Sequence, residues 1–124
     1  MLRHVPQMIL IAGPYRSGTG DDAAMMAENV RAMEAFALPL FRAGHIPVLG
    51  EWFALPLAHL AGSVRPGDAA FDEVFHPVAV RLLARCDGVL RIGGASTGAD
   101  EMVRVGRELG LEIYTRLEDV PPAA

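Results

Sequence analysis

QMILIAGPYRSGTG, residues 7–20, decides how the chain is read. Its first six residues form a short continuous apolar run closed by Gly13-Pro14, the pattern of a strand buried on both faces of a parallel sheet. The rest of the stretch is a loop rich in glycine and hydroxyl groups. Gly13, four further residues, Gly18 and then Thr19 reproduce the spacing of a phosphate-binding loop, but the lysine that belongs between the second glycine and the hydroxyl residue is missing. The loop is therefore suited to a small anion held by backbone N–H groups rather than to a triphosphate.

Downstream, apolar residues at Met26, Val30, Met33, Ala37 and Leu40 predict a helix over residues 23–43, bent at Pro39 and stopped by Gly44. Residues 46–49 read as a second strand and 52–60 as a short helix. Phe71, Val74, Phe75, Val78 and Leu82 mark a helix reaching about Cys86, with Pro77 inside it. A third strand spans 89–92, a helix 98–109 ends at Gly110, and a fourth strand covers 113–115. Strands alternating with helices imply a parallel sheet covered on both faces. The expected architecture is one flavodoxin-like, doubly wound α/β domain over residues 1–124, with strand order 2-1-3-4. In that order the chain reverses direction across the sheet between strands one and three, and a ligand binds outside their carboxyl ends.

Composition narrows the function. The chain has 124 residues, 52% of them hydrophobic, and a formal charge of -4. Its mean hydropathy is +0.28. That is enough apolar material for one core, with no basic run for a nucleic-acid backbone or an anionic membrane. No stretch is long and apolar enough to span a bilayer, and no signal-peptide pattern opens the sequence, so a cytoplasmic protein is expected. The single cysteine, Cys86, rules out an intrachain disulfide and a thiolate zinc cluster. All eleven basic residues are arginine, which removes Schiff-base lysine chemistry. His4, His45 and His59 have no metal-ligand spacing and read as surface or capping residues, and Met25, Met26, Met33 and Met102 as core filler. No cofactor and no metal are expected.

The candidate site lies in two loops, GPYRSGTGDD and GGASTGAD. Glycine and hydroxyl residues there let backbone N–H groups approach an anion at the start of the helix after each loop. Gly13, Pro14, Tyr15, Arg16 and Ser17 from the first loop, with Gly93, Gly94, Ser96, Thr97 and Gly98 from the second, are the candidate ligand-binding residues. Arg16 can offer its planar fork to a phosphate or carboxylate; as an ordinary turn residue it would simply be solvated. Tyr15 can stack on a base or pack its ring on the sheet edge. Glu51 and Trp52 come just after strand two, at the ligand end of the sheet. His76, four residues after Asp72, can pair with it on one helix face. Thr97 and Asp100 have the spacing of a capping box.

The strand ending IAGPY, the RAGHIPV turn, the helix leading into CDGVLRI, and the closing STGADEMVRVGRELGLEIY together resemble the nucleoside 2-deoxyribosyltransferase-like superfamily, particularly its small bacterial branch, over nearly the whole chain. The resemblance implies a flavodoxin-like fold, homo-oligomers with sites near subunit interfaces, and chemistry on N-glycosidic bonds of deoxynucleosides or their monophosphates. It also implies a glutamate nucleophile early in the last long helix and an assisting aspartate from the preceding helix. Counted without a gap from Gly98, the nucleophile's position is Met102, and the aspartate's is Ala79. Glu101, one residue early, is the candidate catalytic group, and would otherwise be a solvated acid complementing the helix dipole. Two further readings stand beside this one. A nucleotide or nucleotide-sugar sensor would keep both loops without the acid pair. A phosphoribohydrolase of the lysine-decarboxylase-like type is loosely suggested by GGASTGADE. The expected partner is a small nucleoside or nucleotide, in a homodimer or higher homo-oligomer formed through the apolar segment 52–60.

Overall fold

The computed structural model describes residues 5–123. Four strands, β1 (Met8–Ala12), β2 (Ile46–Val48), β3 (Gly88–Arg91) and β4 (Glu112–Tyr114), form one wholly parallel sheet in the order β2-β1-β3-β4. This is the flavodoxin-like order expected from the alternation of elements. Five helices connect and cover the strands: α1 (Ala23–Glu34), α2 (Ala37–Arg42), α3 (Gly50–Leu60), α4 (Ala69–Leu83) and α5 (Thr97–Glu108). A short 3-10 turn, Leu117–Asp119, closes the fold.

The two faces of β1 show why a continuous apolar run was needed. Successive side chains of a strand point to opposite faces. Ile9 and Ile11 therefore enter one core with Met33, Leu40, Leu49 and Tyr114, while Leu10 and Ala12 enter another with Leu83, Val89, Ala99 and Met102. Leu90, fully buried in the first core, is one of several side chains whose removal from water each contributes about 1.5–3 kcal/mol. Polar alternation on either face of β1 would strand a hydrophilic group in one of these cores.

The predicted helix over 23–43 is two helices. Pro39 has no N–H to offer the Ala35 carbonyl, and its ring would crowd that oxygen in a continuous helix. The chain instead tightens at Phe36, whose N–H bonds to the Met33 carbonyl at 3.1 Å, and restarts with Pro39 in the first turn of α2. There the missing donor costs nothing. Pro56 and Pro77, by contrast, are accommodated inside α3 and α4.

Three local expectations are corrected. His45 is neither a surface nor a capping residue: it is 2% exposed, accepts the Gln7 N–H on Nδ1 at 3.0 Å and donates from Nε2 to the Pro121 carbonyl at 2.7 Å. It thus ties β1 and the carboxyl-terminal tail to the start of β2. Met25 is 48% exposed and is no core filler, whereas Met26, Met33 and Met102 are buried. Ser96, not Thr97, caps α5, accepting the Ala99 N–H at 3.1 Å. His59 is exposed near the end of α3, and His4 lies outside the described residues. Among the described residues no helix is long and apolar enough to cross a membrane, and no three metal-ligating side chains cluster.

Candidate functional site

The strand order places the ends of β1 and β3 side by side, and the loops leaving them open one cleft of about 630 Å³. That size is typical of a small-molecule site. Gly13, Tyr15, Arg16 and Ser17 line it from the first loop, and Ser96, Thr97 and Gly98 from the second. Asp21 of the first loop, Gly50 and Glu51 of α3, Phe75, His76 and Ala79 of α4, and Met102 of α5 also line it. Pro14, Gly93 and Gly94 do not line the cleft. Pro14 and Gly93 instead join the loops behind it: a Cβ on Gly93 would fall 2.8 Å from Pro14 Cδ.

The first loop is held from within. Thr19 is buried, donating its hydroxyl to the Arg16 carbonyl at 2.6 Å and accepting the Asp21 N–H at 3.2 Å. The Asn29 side chain donates to the Tyr15 carbonyl at 2.8 Å. The turn needs left-handed backbone at Gly18 (φ 73°) and Gly20 (φ 57°), which glycine adopts without steric cost. Asp21 adopts the same region at φ 61°, where a non-glycine residue is uncommon. Its carboxylate accounts for that placement. Oδ1 accepts from Arg16 Nε at 2.9 Å and Oδ2 from Nη2 at 3.0 Å, a two-point clasp across the turn. This hydrogen-bonded pairing raises the Arg16 guanidinium further and holds Asp21 below the usual carboxylate range. Arg16 thus reaches the cleft with one edge of its fork already occupied.

An aromatic wall stands beside this clasp. Tyr15 stacks on Phe75 at 5.3 Å between ring centroids, Phe75 stacks on Phe71 at 4.5 Å, and the Arg16 guanidinium lies 5.6 Å over the Phe71 ring. The Tyr15 ring therefore packs against Phe75 of α4 while lining the cleft. Burial raises the Tyr15 hydroxyl above its ordinary value, and the charge of the Glu51 carboxylate raises it further.

The second loop is fixed by Arg91. Its Nε donates to Asp100 Oδ1 at 3.1 Å, Nη2 to the Gly94 carbonyl at 2.8 Å, and Nη1 to the Ile92 carbonyl. Asp100, expected as the acid of a capping box, is used here instead. Ser96 at the N-cap and the free N–H groups of the first turn of α5 then face the cleft, where helix N-termini favour negative charge.

The acids divide sharply. Glu101 is not among the residues lining the cleft; Arg104, one turn along α5, takes both its oxygens, with Nε donating at 3.0 Å, and this pairing lowers its carboxyl below the ordinary range. Met102 and Ala79, the positions that the resemblance assigns to the acid pair, both lie on the cleft wall. Asp72 is exposed and does not line the cleft, and among the described residues no hydrogen bond or ion pair joins it to His76, which does. Glu51 is different from all of these. It sits in the first turn of α3, faces the cleft, and makes no hydrogen bond or ion pair with another side chain among the described residues. Burial pushes its carboxyl up to about 7. Its neighbour Trp52 turns away, donating from Nε1 to Glu34 Oε2 at 2.8 Å.

Position alone placed Glu51 beside the site. Its burial depends on α4 packing along α3, a tertiary contact without a local signal in the sequence. The sequence matches no family model and no curated protein.

Proposed function

We propose that this protein binds a nucleoside or nucleotide in the cleft between its two glycine-rich loops, and that covalent glycosyl transfer is closed to it. The observation carrying the reading is the composition of the cleft wall: an aromatic stack at Tyr15 and Phe75, unpaired N–H groups at the start of α5, and Met102 and Ala79 as apolar neighbours. A flat ring finds a stacking surface there and a phosphate finds helix N–H donors. The resemblance to nucleoside 2-deoxyribosyltransferase-like proteins supports the same ligand class. A thioether and a methyl group offer no nucleophile to an anomeric carbon, so the two positions that the resemblance assigns to the acid pair cannot carry the covalent intermediate of a retaining mechanism.

Thermal-shift measurements across purine and pyrimidine nucleosides and their 5′-monophosphates test the reading. Monophosphates are expected to raise Tm more than the matching nucleosides, and intact-mass spectra are expected to show no glycosyl adduct. Failure of every member of the panel to shift Tm overturns the ligand class. An adduct overturns the exclusion of covalent transfer.

A further inference from the structure

A phosphate entering the cleft meets the charges on its wall. The first loop contributes Arg16 and Asp21, which neutralise each other through contacts of 2.9 and 3.0 Å, and Tyr15, whose hydroxyl is raised by burial. The exposed His76 comes from α4, while β1 and α5 supply no ionisable group to the wall. Glu51 comes from the first turn of α3; its carboxyl accepts from its own backbone N–H and has no cationic partner among the described residues. It is therefore the one acid on the wall left without a counter-charge. Along α5, by comparison, Arg91 and Arg104 answer Asp100 and Glu101.

We propose that Glu51 sets the charge of the ligand this cleft accepts, admitting a phosphorylated nucleoside when it carries a proton and favouring the unphosphorylated one when it is ionised. This rests on the nucleotide reading above and adds a regulation of that same site. A bound phosphate and an ionised Glu51 would be two like charges confined to about 630 Å³, among the apolar side chains of Leu10, Ala12, Phe75, Ala79 and Met102. Such surroundings strengthen repulsion relative to water, and salt screens it little there. Arg16 relieves it only in part, since Asp21 holds one edge of its fork.

The phosphate thus binds the fraction of molecules in which Glu51 is protonated, and by linkage its arrival draws a proton onto the carboxyl. Burial alone brings that carboxyl up to about 7, so the exchange falls near neutral pH. Raising the pH weakens phosphate binding, by at most about tenfold per unit. A nucleoside without the phosphate brings no charge and is bound alike on both sides of the titration.

The test is calorimetric binding of deoxyadenosine, deoxycytidine and their 5′-monophosphates between pH 7 and 9, where the phosphate, with its second ionisation near ~6, keeps its full charge. Each titration is run in two buffers of different ionisation heat, which counts the protons taken up. For the wild type, Kd of the monophosphates is expected to rise about 3- to 10-fold per pH unit with net proton uptake, and Kd of the nucleosides to stay constant. Glu51→Gln is expected to bind monophosphates with a constant Kd, at least about 10-fold tighter than wild type at pH 9, without proton uptake, whereas Glu51→Asp keeps the slope. Monophosphate binding that is flat with pH in the wild type overturns the inference and leaves the nucleotide reading intact. So does a slope that persists in Glu51→Gln, or one that is lost in His76→Gln instead. Binding of none of the compounds overturns both.

Discussion

Glu51 and Asp21 are two carboxyls on one cleft with opposite fates, and each can be examined without knowing the ligand. The Glu51 carboxyl moves from an ordinary value of 4.5 to about 7 on folding because burial penalises its charge. Its folded value is the higher one, so the folded chain binds more protons between these values, and stability contributed below pH 4.5 is lost as pH rises through 7. Urea denaturation should find Glu51→Gln close to wild type at pH 4.5 and more stable at pH 8.5, by up to about 3 kcal/mol. A difference independent of pH would show that Glu51 is not buried as described. Asp21 occupies one edge of the Arg16 fork. Asp21→Asn should release that edge and tighten calorimetric binding of nucleoside monophosphates about 3- to 10-fold, leaving unphosphorylated nucleosides unchanged. Neither feature could be read in full from the sequence. That Arg16 and its loop would line the cleft was legible from residue type and position, but its pairing with Asp21 depends on left-handed backbone that forms only in the folded turn. His45 was misread for a related reason, since its partners lie 38 and 76 residues away.

At the level of elements, the second loop works because three fastenings converge on the start of α5. Arg91 holds Gly94 and Asp100, Pro14 abuts Gly93, and Ser96 caps the helix while its own side chain is buried. Ser96→Ala leaves an orphan helix donor at the cleft, so it should lower stability by about 1–2 kcal/mol in chemical denaturation and weaken monophosphate binding in the same variant. Loss of stability with no change in binding would separate the cap from the site. The elements themselves were legible wherever a period was clean, as in the apolar run of β1 or the stripe of α5. They were less so at boundaries. The break between α1 and α2 turns on which turn of the second helix Pro39 enters, and the apolar stripe running past it has the same spacing with or without a break.

For the whole molecule, the order of the sheet was legible because right-handed crossovers leave few alternatives once four strands alternate with helices. Assembly is a different matter, for surface residues are exposed for many reasons. On α3 the inner residues Ala54 and Ala58 are buried, whereas Trp52, Phe53, Leu57 and Leu60 are 40%, 43%, 44% and 79% exposed. A helix this apolar on its outer side is costly to leave in water, and we predict that a second copy of the chain covers it. Light scattering at micromolar concentration should give a homodimer or larger species, converted to monomer by Phe53→Asp with Leu57→Asp. A monomeric wild type would count against it. Because Glu51 opens the same helix, the paired variant should also alter ligand affinity if the interface steadies the cleft.

The tail that His45 fastens has a practical consequence. Ala123 donates its N–H to the Ala43 carbonyl at 2.7 Å, just before β2, so residues 121–123 lie at the amino-terminal pole of the sheet, away from the cleft at the carboxyl-terminal pole. Cys86 is buried, and desolvation, with a smaller push from Asp87, moves its thiol up to about 11, where little reactive thiolate exists at neutral pH. Pro122 is exposed. Pro122→Cys would therefore give a molecule that maleimide reagents modify at one place, letting it be anchored to a sensor chip or carry a fluorophore with its cleft turned toward the solution.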